Sequence, residues 1–114
     1  GLEDEPNLDK VHFSLPLFRA YATGFLREAG ESATPREIEL LPVAAKLMTL
    51  ECGMRFLGDY VLGDVYFATE YPEHNLVRAH TQMQLVREME EQMPRMHAVI
   101  ADVMASHDTG GHNE

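Results

Sequence analysis

Between Val43 and Leu62 the apolar residues Leu47, Leu50, Met54, Leu57 and Val61 recur at steps of three, four, three and four. That is the period of a helix and not of a strand. A helix of this length carries an apolar face that intrinsic propensity does not stabilise in water, so the face requires a partner. A chain of 114 residues is one domain at most. A long helix over about 43–62 and the segments that cover it must therefore make up much of the fold. Pro42 removes a backbone donor and is expected to break the chain before it. Gly53 and Gly58 inside such a helix each cost about 1 kcal/mol against alanine. Close helix packing, a nearby ligand or a tolerated surface position each accounts for them.

The flanking segments are also helical in pattern. Residues 1–13 show no period and read as an arm ending near Ser14. Leu15, Phe18, Ala22, Phe25 and Ala29 place a helix over 15–29, with Ser14 as N-cap, Pro16 in the first turn and Gly30 as a left-handed C-cap. Thr34, Pro35 and Glu37 form a capping box for a short helix over 35–41. Residues 63–74 are irregular. Gly63–Asp64 stops the central helix, and the stretch reads as a loop with buried aromatics. Asn75 is the expected N-cap of a last helical region, lined by Leu76, Ala79, Met83, Val86 and Met89 and then by Met93, Met96, Ile100 and Val103. Pro94 is expected to kink or divide it into 76–93 and 95–105, and the polar, Gly-rich residues 106–114 are expected to fray. The fold class is all-α. Its long helices exceed what so small a chain can cover, which points to a part of something larger or to self-association.

Charge and composition remove several functions. Nineteen acidic residues against nine basic ones give a net charge of −10, which disfavours binding to a nucleic-acid backbone. There is no 20-residue apolar span and no signal-peptide pattern, so no membrane association is expected. The single cysteine, Cys52, excludes an internal disulfide framework and a multi-cysteine zinc site, and a reducing, cytoplasmic compartment is expected. The six histidines include no i, i+4 pair, and no metal site is expected.

The polar side of the central helix carries the chemistry. Glu51, Arg55 and Asp59 stand at i, i+4 and i+8. They form either a solvated ladder of ion pairs or an arginine held rigid by two carboxylates for hydrogen bonding to a polar ligand. Tyr66 follows Arg55 by eleven positions. In an unbroken helix their Cα atoms would stand roughly 16 Å apart. A turn at Gly63–Asp64 is needed for both to reach one small ligand. Asp64 is otherwise a turn residue, and Tyr66 and Phe67 are otherwise core. The methionines of the last region fill a core or line a groove for a partner helix. No Gly-rich phosphate loop, no H-x-D-x-x-x-x-N loop and no D-F-G-like motif occurs, so the chain holds no catalytic residue for phosphoryl transfer.

ECGMRFLGDYVLGDVYF at 51–67 and YPEHNLVRAHTQ at 71–82, with EDEP at 3–6 and TPREIELLP at 34–42, resemble the C-terminal part of the aminoglycoside-phosphotransferase-like kinases. Within that group they are similar to the bacterial N-acetylhexosamine 1-kinases, some relatives of which carry an older label of mucin-desulfatase. The resemblance spans about residues 3–92. It implies a protein-kinase-like fold of two lobes, with this chain the terminal helical subdomain of the larger lobe and a fragment inactive alone. The catalytic and magnesium-binding aspartates would precede Gly1, and ATP and Mg²⁺ would be cofactors of the full-length protein only. Arg55 and Tyr66 match by type and spacing a pair that contacts sugar hydroxyls in those kinases. Asp64 falls in matching text, and Glu51 and Asp59 would steady Arg55. His80 stands where relatives carry arginine. Two other readings stay open: a self-contained helical interaction module, which binds a partner helix or a second copy, and a related kinase for another hydroxylated acceptor.

Overall fold

The computed structural model describes residues 4–112, with backbone alone for 109–112. Among the described residues four α-helices follow one another: α1 (Leu15–Ala29), α2 (Pro35–Glu39), α3 (Leu41–Val61) and α4 (His74–His112), preceded by a 3-10 turn at Leu8–Lys10. No strand occurs among the described residues, so the fold is all-α. The chain divides into two compact units. The first comprises the described residues up to Phe13 with Lys46–Glu90, and the second comprises Ser14–Ala45 with the chain from Glu91 onward.

In the second unit the local signals act as their chemistry demands. Ser14 Oγ accepts from the Leu17 N–H at 3.2 Å and caps α1. The Thr34 side chain accepts from the Glu37 N–H at 3.1 Å while Glu37 Oε1 accepts from the Thr34 N–H at 3.0 Å, closing the capping box of α2. Two expectations are corrected. Gly30 is right-handed (φ −59°). Glycine there permits close approach, because a Cβ would collide with the Leu26 carbonyl oxygen. The break expected at Pro42 is present but lies earlier: α2 stops at Glu39, α3 begins at Leu41, and Pro42 sits in the first turn of α3, where no donor is needed. Phe18, Ala22, Leu26, Ile38, Met96, Val99, Ile100 and Val103 form this unit's core.

Pro94 does not divide the last helix: α4 is continuous from His74 to His112, so residues 106–112 of the expected tail are helical. The end of the expected tail, 113–114, lies outside the described residues. An interior proline costs about 3 kcal/mol. Here Glu90, Pro94 and Arg95 are exposed. Water can therefore satisfy the carbonyl that the proline leaves without a donor, while buried Met96, Val99 and Ile100 hold the following turns in place.

The first unit inverts the expected orientation of the central helix. Leu47, Met54, Leu57 and Val61, expected to face inward, are 54%, 61%, 43% and 75% exposed, whereas Gly53, Phe56 and Asp59 are buried. Each of those three makes a contact that an aliphatic stripe does not replace. A Cβ on Gly53 would lie 2.7 Å from Met83 Cε and 3.0 Å from Gln82 Cβ, so its absence lets α4 pack against the α3 backbone. The Phe56 ring packs on Phe67 with centroids 4.8 Å apart and lies beneath the Arg78 guanidinium, 5.5 Å away. Asp59 organises the loop that follows. Gly58, by contrast, has nothing within 4 Å of where a Cβ would stand. Gly58→Ala is therefore expected to stabilise the chain by about 0.5–1 kcal/mol, read as a higher urea midpoint at unchanged m-value.

Candidate functional site

The helix α3 ends in a Schellman motif. The Asp64 N–H donates to the Asp59 carbonyl at 2.8 Å and the Gly63 N–H to the Tyr60 carbonyl at 3.2 Å. Gly63 takes φ +95° and Asp64 φ +60°. Glycine adopts the first at no steric cost, and aspartate is among the few other residues that tolerate the second. The chain reverses here, so the stop expected at Gly63–Asp64 is where the structure places it.

The reversed strand of backbone then closes on the Asp59 side chain. Oδ1 accepts the N–H groups of Val65 and Tyr66, each at 2.9 Å. Oδ2 accepts the Phe67 N–H and the Asn75 amide, also at 2.9 Å. Burial pushes the Asp59 carboxyl up, but these N–H and amide donors more than offset it and hold it below the ordinary aspartate value. Asn75 bridges further. Its amide also donates to Asp64 Oδ1 at 3.0 Å, and its Oδ1 accepts from Arg78 Nη1 at 3.0 Å. Asn75 is thus inside α4 and buried, and it does not cap the helix as expected.

A second cluster ties the N-terminal arm to this frame. Asp4 Oδ1 accepts from Arg78 Nε at 3.1 Å and lies 2.6 Å from His74 Nε2. The Glu70 N–H donates to His74 Nδ1 at 3.1 Å, so the ring proton sits on Nε2 and is given to Asp4. Both ring nitrogens are engaged, and buried His74 is not available as a general base. The His74 hydrogen bond, and then that of Arg78, lower the Asp4 carboxyl to about 2. A carboxyl whose folded value is depressed contributes stability above its unfolded value. That contribution from Asp4 is lost as pH falls from about 3.8 toward about 2. Thermal unfolding followed across that window should show a falling melting temperature, with a shallower slope in Asp4→Asn; an unchanged slope would remove Asp4 from the account.

Both members of the expected ligand-binding pair, Arg55 and Tyr66, are exposed. Arg55 Nη2 bonds Glu51 Oε1 at 2.6 Å, and both side chains are well exposed, at 68% and 61%. Such a pair is worth a few tenths of a kcal/mol. Asp59 turns to the loop and not to Arg55, so only one of the two carboxylates expected to steady the guanidinium does so. Asp64 likewise serves Asn75. Tyr66 is 79% exposed, and neither Phe67 nor Tyr71 is buried, which corrects the expectation of a loop with buried aromatics. The Tyr66 backbone is fastened to Asp59. Asp59 lies one helical turn beyond Arg55, a spacing of about 6 Å. The reversal therefore ties the Tyr66 backbone to α3 at Asp59, one turn beyond the arginine.

Sequence reasoning gave Asp4, His74 and Arg78 no role of their own and read Asn75 only as a cap. Asn75 and Arg78 at i, i+3, directly after an irregular loop, were the available signal. Among the described residues no group of three or more His, Cys, Asp or Glu side chains is placed to hold a metal ion, and no helix is long and apolar enough to cross a membrane. No protein-family model matches the chain.

Proposed function

We propose that the chain supplies the acceptor side of a sugar 1-kinase-like phosphotransferase and is inactive alone, the ATP- and Mg²⁺-dependent chemistry residing elsewhere in the full-length protein. One observation carries the reading. Asp59 binds the backbone of Val65, Tyr66 and Phe67, so the Tyr66 backbone is tied to the turn of α3 that follows Arg55, and the Arg55 and Tyr66 side chains are both exposed.

The residue chemistry suits a neutral polyol. A guanidinium donates in fixed directions to vicinal hydroxyls, and a phenol donates one hydrogen bond and accepts another. Glu51 restricts the rotamers of Arg55 before ligand arrives. Such contacts would hold a hydroxyl in line for transfer, a matter of orientation and not of bond-making by these residues. An N-acetylhexosamine is the acceptor the resemblance favours; another hydroxylated acceptor would use the same two side chains. The test is isothermal titration of N-acetylglucosamine and N-acetylgalactosamine into the full-length protein, where heat of binding is expected with the native residues and its loss with Arg55→Ala.

The exposed stripe of Leu47, Met54, Leu57 and Val61 favours a second reading, a helical interaction module. A dimer of the chain that Met54→Glu dissociates, with no heat from either sugar, would support the module over the kinase.

A further inference from the structure

We propose that the second unit holds a separate site for a small organic phosphate, in the cleft between α1 and residues 103–107 of α4. The cleft has a volume of about 250 Å³. Its floor is apolar, formed by Leu26 and Val103, which are 2% and 6% exposed. Its rim is cationic. Arg19 and Arg27 come from one face of α1 at i and i+8, and His107 faces them from α4 beside Ser106. On a chain of net charge −10, two of the nine basic side chains and an imidazole meet at one place.

The donors are open to a ligand. Among the described residues Arg27 has no carboxylate partner. Arg19 is paired with Asp102, which neutralises that carboxylate and leaves other guanidinium N–H groups free of it. Thr23, the remaining polar residue of the cleft, is committed, since its hydroxyl donates to the Arg19 carbonyl at 2.8 Å. Arg19, Arg27, Ser106 and His107 thus approach from two helices. A planar carboxylate offers two oxygens and suits a single fork. A tetrahedral phosphate offers three terminal oxygens and can accept from both sides of the cleft at once. The apolar floor adds a place for an organic body, which inorganic phosphate lacks. The site does not depend on the sugar-acceptor reading, because Arg55 and Tyr66 belong to the other unit.

The test is titration of the chain, at fixed ionic strength, with phenyl phosphate, inorganic phosphate, benzoate and benzyl alcohol, read from the NMR shifts of the His107 ring and the arginine Nε–H groups. The expected order is phenyl phosphate tightest, inorganic phosphate and benzoate weaker, and benzyl alcohol without effect. Arg27→Gln should weaken phenyl phosphate about tenfold or more. Ser106→Ala should weaken it several-fold, and Arg55→Gln should leave it unchanged. Equal binding of phosphate and phenyl phosphate that survives Arg27→Gln would mean an adventitious ion only. That result, benzoate matching phenyl phosphate, or the absence of saturable shifts at His107 would each overturn the proposal.

Discussion

Asp59→Ala is expected to lower the melting temperature by about 10 °C or more and to expose the amides of Val65, Tyr66 and Phe67 to hydrogen exchange. The substitution removes both oxygens that four donors share. Three are backbone groups of a loop with no helix or sheet of its own to satisfy them, and the fourth is the buried Asn75 amide. The buried Asn75 amide loses a partner and gains no hydration in exchange, and the three part-buried N–H groups lose the fixed acceptor that orders the loop, so one substitution acts on four bonds at once. Asp59→Asn should fall between alanine and the native protein, because it keeps one acceptor and turns an NH₂ toward the donors at the other. Glu51→Ala, which breaks only an exposed pair, should shift the melting temperature by no more than about 2 °C. Retained protection at Val65, Tyr66 and Phe67 in Asp59→Ala would show that the loop is held by something else.

Those expectations mark the boundary between what was legible in the sequence and what was not. Local signals were legible because they act over one turn. The Ser14 cap and the Thr34–Glu37 box depend on side chains reaching backbone a few residues away, the Gly63–Asp64 stop on backbone bonds over the same reach, and each forms as its spacing demands. The facing of α3 was not. An aliphatic stripe at helical period names the apolar side, but a helix buries the side that gains most. Here Gly53 gives close backbone approach, Phe56 gives a ring contact and Asp59 gives four hydrogen bonds, and together these decide the facing. Pro94 misled for a related reason. Its penalty is local, whereas the core residues that keep α4 continuous follow it by two to nine positions. Asp59 itself was read as a partner of Arg55 because i+4 spacing places it there. The competing donors come from a loop whose path the periodicity did not describe.

The same geometry sets the second large effect. If Arg55 meets a hydroxylated acceptor, truncating it removes charge-assisted hydrogen bonds, each worth about 1.5–3 kcal/mol. In the full-length protein Arg55→Ala should therefore lower kcat/KM for the sugar by about 10- to 100-fold. Tyr66→Phe deletes one neutral hydroxyl and should cost about 2- to 10-fold. Neither change should alter KM for ATP, since the account places both side chains on the acceptor.

Steady-state kinetics of the full-length protein with N-acetylglucosamine and N-acetylgalactosamine, comparing the native form with Arg55→Ala and Tyr66→Phe, tests the proposed acceptor site most directly. A fall in sugar kcat/KM is expected for both variants, larger for the arginine, at constant ATP KM. Sugar parameters unchanged in both variants, with the fold intact by circular dichroism, would contradict it.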